Sequence, residues 1–106
     1  MSFRAPLRVP VELKRGNRWF RLAHSVSVDG LTLAEPMPEE AEGPLEIIFH
    51  LPGAAAQLTC HGEVFEEVVG EGEDERAERR LVRFLDLDQA SAASIQAYVQ
   101  DRLGII

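Results

Sequence analysis

The sequence has few of the features that mark secreted, disulfide-stapled or membrane proteins. Its 106 residues include one cysteine, Cys60, so no internal disulfide can form. No apolar run approaches the roughly 20 residues that a membrane-spanning helix needs. The first residues, MSFRAPLRVPVELK, lack the apolar stretch of a secretion signal. We therefore expect a cytoplasmic protein with no membrane insertion.

Linkers, internal repeats and low-complexity tracts are also lacking. The length suits one compact domain, and an apolar share of 45% is enough to form a core. We predict a single stand-alone domain over residues 1–106.

Positive charge is scarce and unevenly placed. The net charge of −7 opposes sequence-independent nucleic-acid binding, so no DNA or RNA partner is expected. Residues 1–24 nevertheless carry six basic side chains and one acidic side chain, whereas residues 35–78 carry thirteen acidic side chains and one basic one. A basic N-terminal segment on an acidic body favours a small anion over a long polyanion.

Catalytic and metal-binding patterns are sparse as well. There is no P-loop, dinucleotide fingerprint or GxSxG elbow, and the three histidines lack the spacing of a metal pair. Cys60 and His61 are neighbours on a predicted strand and should point to opposite faces, which argues against a shared zinc ion. We predict no enzyme activity, no catalytic residue, no metal and no cofactor.

What the chain does have is apolar alternation with a period of two residues, which is typical of strands. Such alternation predicts six short antiparallel strands, at 9–13, 18–28, 31–33, 45–51, 58–68 and 79–87. The predicted core-facing residues include Val11, Leu13, Phe20, Leu22, Leu31, Leu33, Leu45, Ile47, Phe49, Leu51, Leu58, Cys60, Val64, Val82 and Phe84. Because Trp19 precedes Phe20, the alternation places Trp19 on the opposite side, at the surface.

Glycines and charges mark the connections between these strands. Asp29-Gly30 is predicted as a hairpin turn, since glycine adopts positive φ without strain. Gly62, inside a strand, indicates a bulge or a sharp bend. Residues 35–44 read as a polar loop, and residues 70–78 as a charged hairpin tip.

The last segment has helical periodicity. Asp88 is a good N-cap, Ile95, Tyr98, Val99 and Leu103 share one helix face, and Gly104 suits the C-terminal cap. Sequential strands with hairpin spacing, followed by one helix over 88–104, favour a small barrel or sandwich.

Two stretches, RAPLR at 4–8 and SVSVDG at 25–30, bear on function. Pro6 disfavours a helix, so Arg4 and Arg8 should lie on an extended segment and reach one ligand from different sides. Arginine pairs with phosphate oxygens and with the O6 and N7 atoms of guanine. Taken singly, the first stretch also fits surface arginines and the second an ordinary hairpin.

Together and in this order, the two stretches resemble the PilZ family, whose hallmark is RxxxR followed about twenty residues later by [D/N]xSxxG. Arg4 and Arg8 match the first motif, and Ser27 and Gly30 match the second. The later pattern, GPLEIIFHLPG, LTCHGEV, RRLVRFLDL and an amphipathic helix, is also similar to the family over essentially the whole chain.

The resemblance implies a mainly β fold: a six-stranded antiparallel PilZ-type β-barrel over 9–87 with a C-terminal α-helix. It also implies a flexible ligand-binding arm over 1–8 and cyclic di-GMP as the ligand. Arg4 and Arg8 would contact guanine edges and phosphates, Ser25 and Ser27 would face the ligand from the barrel, and Gly30 would allow the close turn beneath it. Ligand binding would change the conformation and signal to a protein effector.

One position departs from the family pattern, because Ser25 stands where the second motif has Asp or Asn. Serine is shorter and reaches a guanine edge less readily, which would cost about 1–2 kcal/mol of binding free energy. The alternative hypothesis is therefore a degenerate PilZ-like domain that binds no nucleotide and acts as a protein–protein adapter, with Trp19 as a candidate surface contact.

Overall fold

The computed structural model describes residues 3–54 and 56–104. Within these residues the chain forms seven strands and one α-helix, and a short 3-10 turn, Gly72–Asp74, lies at the hairpin tip before the last strand. The elements are β1 (Ala5–Pro6), β2 (Pro10–Arg15), β3 (Asn17–Ser27), β4 (Gly30–Leu33), β5 (Leu45–Phe49), β6 (Leu58–Val69), β7 (Arg76–Phe84) and α1 (Gln89–Leu103).

Six of the strands close into an antiparallel barrel. Their order is β3-β2-β5-β6-β7-β4, and pairing between β3 and β4 closes the ring. The short β1 is an additional strand, which pairs with the end of β3 through Ala5–Val26 and Pro6–Ser25. The predicted six-stranded barrel with a C-terminal helix is thus confirmed, and β1 is added to it.

The barrel interior is filled by most of the predicted core-facing residues. The apolar side chains of β2, β4 and β5 alternate as expected, and Leu58, Cys60, Val64 and Val82 close the core from β6 and β7. Cys60 is buried and His61 is exposed, as predicted for neighbours on a strand. Burial, with the nearby charges of Asp86 and Asp88, raises the pKa of the Cys60 thiol to about 12.

The first half of β3 faces the opposite way from the prediction. Phe20 and Leu22, predicted in the core, are 60% and 37% exposed. Trp19, predicted at the surface, is partly buried against the core and lies opposite Leu13 of β2. The physical reason is a β-bulge at His24, where the pairing register with β4 shifts and the alternation changes phase.

Two glycine predictions also need correction. The hairpin turn is Val28-Asp29, and Gly30 is the first residue of β4, without positive φ. Position 30 needs glycine for steric reasons instead, because a Cβ there would overlap the backbone carbonyl oxygen of Val82. Gly62 pairs regularly on both sides, and the irregularity in β6 lies later, between Phe65 and Glu67.

The C-terminal helix is capped at both ends as predicted. The Asp88 carboxylate accepts a 2.6 Å hydrogen bond from the Ser91 backbone N–H, and Gly104 adopts a φ of 69° at the C-cap. Ile95 and Val99 are buried against the barrel, whereas Leu103 is exposed. With 15 residues α1 is too short to cross a membrane, and residues 3–54 and 56–104 contain no other helix that could do so.

Candidate functional site

The segment that carries RxxxR lies extended along β3. Residues 4–8 alternate, so Ala5 and Leu7 are buried while Arg4, Pro6 and Arg8 face outward. The Leu7 N–H donates to the His24 carbonyl at 3.1 Å, which continues the pairing that β1 begins. Proline restricts the residue before it to extended conformations, so Pro6 and Pro10 favour this geometry.

Part of the arm predicted to be flexible over 1–8 therefore packs on the barrel, because Ala5 and Pro6 pair with β3 and Leu7 bonds to it. Tyr98 of α1 covers it from the other side, since its hydroxyl donates a 2.8 Å hydrogen bond to the Pro6 carbonyl. Met1 and Ser2 lie outside the described residues. The flexibility of the arm and its role in ligand binding stay predictions.

The bulge at His24 determines which way the two motif serines point. Ala23 and Val26 are both buried, three positions apart, so the alternation resets between them. In a regular strand without the bulge at His24, Ser25 and Ser27 would point into the barrel, as Ala23 does. With the bulge, both hydroxyls lie on the face that Arg4 covers.

Arg4 joins the two motifs through its guanidinium group. Its Nη1 donates to the Ser25 hydroxyl at 3.2 Å, and its Nη2 donates to the Ser27 hydroxyl at 3.3 Å. Ser27 is only 1% exposed and also accepts from the Asp29 backbone N–H at 3.1 Å. The Ser25 hydroxyl lies 2.6 Å from that of Thr32, so three hydroxyl groups meet under one arginine.

Arg4, Ser25 and Thr32 line an open groove of about 550 Å³ on the outside of the barrel, and the buried Ser27 lies beneath Arg4 without lining it. His24, Thr32 and Glu67 share its lining, although none of them was predicted as a site residue. The sequence could have indicated Thr32, because it alternates with the core residues Leu31 and Leu33 and so faces outward. Nothing in the sequence indicated Glu67, since it reaches this groove only because of the irregularity between Phe65 and Glu67 in β6.

Arg8 lies in a second groove of about 430 Å³, between the arm and the C-terminal half of α1. Pro6 lines both grooves, so the arm forms the ridge between them. Gly30 is buried beside β7 and lines neither groove. The structure thus brings Arg4, Ser25 and Ser27 together. Arg8 lies in the adjacent groove, and Gly30 lies in the barrel wall.

The two arm arginines differ from the three arginines that form ion pairs in the described part of the chain. Arg18 pairs with Glu12 at 2.8 Å, and Arg76 and Arg80 both pair with Glu78, whose carboxyl pKa is lowered chiefly by its hydrogen bond from Arg76. Within residues 3–54 and 56–104, neither Arg4 nor Arg8 forms an ion pair. Their charges are therefore available to an anion from outside.

No protein-family model matches the chain, and no curated protein matches it in sequence. Solved structures do share its architecture. The Bacillus subtilis inhibitor of motility MotI/DgrA matches with a TM-score of 0.75 at 14% identity, over 97% of this chain and 50% of that one. The PilZ domain of Escherichia coli YcgR, solved with c-di-GMP, matches with a TM-score of 0.65 at 16% identity, over 97% and 90% of the two chains.

These likenesses establish the fold as PilZ-type, in agreement with the resemblance found in the sequence. The chain spans about half the length of the motility inhibitor and nearly all of the YcgR domain.

Proposed function

We propose that this PilZ-type domain binds cyclic di-GMP through Arg4, Arg8, Ser25 and Ser27. One observation carries the proposal: the first arginine of RxxxR lies over both serines of the second motif, 3.2 and 3.3 Å from their hydroxyls. Two motifs separated by some twenty residues therefore form one polar surface. The YcgR domain of the same fold was solved with c-di-GMP.

The ligand chemistry suits this surface. Cyclic di-GMP carries two phosphate charges and two guanines, and a guanidinium group binds either phosphate oxygens or the O6 and N7 atoms of guanine. Hydrogen bonds from Arg4 to neutral hydroxyls are weaker than charge-assisted bonds to phosphate. A phosphate should therefore replace the serine hydroxyls as the hydrogen-bond acceptor of Arg4. The hydroxyls of Ser25 and Ser27 can then donate to the ligand.

Ligand binding would also act on the arm as a signal. Arg4 and Arg8 project from a segment held between β3 and Tyr98, so a ligand that contacts both arginines favours one position of that segment over others. Binding therefore shifts the population toward that position. An effector protein that distinguishes the two states would receive the signal.

Titration calorimetry with cyclic di-GMP tests the proposal. We expect the wild-type chain to bind, and Arg4→Ala and Arg8→Ala each to weaken binding by at least ~tenfold, because each removes a charge-assisted contact. Arg18→Ala is the matched control, since Arg18 is exposed and pairs with Glu12. No heat at ~100 µM ligand, or equal loss in the Arg18 control, would refute the proposal.

A second function, a protein adapter that binds no nucleotide, is favoured by two observations. Ser25 replaces the expected Asp or Asn, and Phe20 and Leu22 are exposed side by side on the outer face of β3. Trp19 no longer supports this alternative, because it packs against the core. The adapter hypothesis predicts a partner captured without nucleotide and lost with Phe20→Ala, alongside no response to cyclic di-GMP.

A further inference from the structure

Two grooves of similar size lie on either side of the arm. The first, of about 550 Å³, contains Arg4 and Glu67, and the second, of about 430 Å³, contains Arg8 and the end of α1. Arg4 and Arg8 are four extended residues apart, which corresponds to about 13 Å. Pro6, midway between them, is the ridge that both grooves share.

The second groove combines three kinds of side chain from α1. Tyr98, Asp101 and Arg102 lie one helical turn apart or less and share the groove with Arg8. In the described part of the chain, the side chains of Arg8, Asp101 and Arg102 make no ion pair and no hydrogen bond. Two cations and one carboxylate thus face the same open space without partners.

This set of groups fits a guanine nucleotide. An arginine can pair with the O6 and N7 acceptors of guanine or with a phosphate, and a carboxylate can accept from the guanine N2 amino group. Aromatic rings such as that of Tyr98 are surfaces on which bases stack. Adenine lacks the N2 amino group, so Asp101 gives the groove a basis for choosing guanine.

The first groove offers a matching set. Arg4 supplies the cation, Glu67 supplies the carboxylate, and the hydroxyls of Ser25 and Thr32 supply further polar contacts. A ligand made of two identical halves, each with one guanine and one phosphate, suits two such grooves that meet at a ridge.

We infer that cyclic di-GMP straddles Pro6, with one half in each groove, and that Asp101 and Arg102 of α1 form the outer half of the site. This inference rests on the proposed function and adds α1 to it. The helix is then part of the binding site, and the ligand ties it to the barrel through the arm.

Titration calorimetry of the full chain with cyclic di-GMP and cyclic di-AMP tests this inference. Arg102→Gln should weaken cyclic di-GMP binding by ~tenfold, and Arg18→Gln, the same change outside both grooves, should not. Asp101→Ala should reduce the preference for cyclic di-GMP over cyclic di-AMP by about fivefold, because the acceptor for the N2 amino group is lost. A purely structural role in the helix would weaken both ligands equally.

Thermal unfolding of each variant checks that α1 stays folded, since Arg102 also lies in the last turn, where a cation stabilises a helix. If the wild-type chain binds while Arg102→Gln and Asp101→Ala keep its affinity and its preference, the straddling site is wrong and the proposed function stands. If the wild-type chain does not bind cyclic di-GMP, both are wrong.

Discussion

The two halves of strand β3 put very different surfaces on the outside of the barrel. Before the bulge at His24, the strand pairs with β2 and exposes Phe20 and Leu22. After the bulge it lies between β1 and β4 and carries the hydroxyls of Ser25 and Ser27 under Arg4. One inserted residue therefore changes the outer surface from apolar to polar within a single strand.

The comparison shows that a local irregularity, rather than composition, positions the candidate site. The same strand without its bulge would turn the serines toward a core that has no partners for their hydroxyls, which is costly.

The largest effect is expected where the second half of β3 passes into β4. Gly30→Ala places a methyl group against the Val82 carbonyl, so β4 and β7 must separate. We expect a loss of more than ~3 kcal/mol in the free energy of unfolding, measured by urea denaturation. Gly16→Ala is the control, because its Cβ would meet open space and only its φ of 77° is unfavourable. Equal losses would show that the close approach at Gly30 is unimportant.

The first half of β3 is tested by two adjacent aromatic residues. Trp19→Ala should cost about 2–3 kcal/mol, because the indole packs against the core, and Phe20→Ala should cost less than ~1 kcal/mol, because the ring is mostly in water. The measurement is again urea denaturation. The reverse order would mean that the strand faces the way its simple alternation predicts.

The second half is tested by restoring the family residue at its start. Ser25→Asn should raise the affinity for cyclic di-GMP by roughly tenfold, since the longer amide reaches a guanine edge. Titration calorimetry measures it, with Thr32→Val as a companion variant that removes only the hydroxyl neighbour of Ser25. Unchanged affinity in Ser25→Asn would show that position 25 does not contact the base.

The smallest effect is expected from acid, through Asp88 at the N-cap of α1 and Asp86 just before it, which bonds to His61 of β6. Hydrogen bonds from the Ser91 backbone N–H lower the pKa of Asp88, and those from the His61 backbone N–H and ring lower that of Asp86. Each folded pKa lies below the ordinary value of 3.8, so the stabilisation is complete above that pH and is lost as pH falls through the folded pKa.

Thermal unfolding between pH 7 and pH 3 measures this effect. Asp88→Ala should lower the midpoint slightly at neutral pH and flatten its fall in acid. A pH dependence identical to that of the wild-type chain would show that the N-cap contributes nothing.

Much of this could be predicted from the sequence because two signals are local. Alternation identified the core faces of β2, β4 and β5, and Asp88 and Gly104 marked the ends of α1. The fold class followed from these together with the paired motifs.

The rest depends on contacts between distant strands. The bulge at His24 appears only where β3 meets β4, so a continuous period of two residues could fit one half of β3 but not both. The constraint at Gly30 comes from β7, and Glu67 and Arg102 reach their grooves from elements far along the chain.

The buried thiol of Cys60 offers a way to measure how often the barrel opens. Burial raises the pKa of this thiol to about 12, so it is protonated at neutral pH while the barrel is closed. Alkylating reagents react with an exposed thiolate, so labelling requires an opening of the barrel that exposes Cys60. The labelling rate of the single cysteine therefore reports how often the wall opens, with and without ligand.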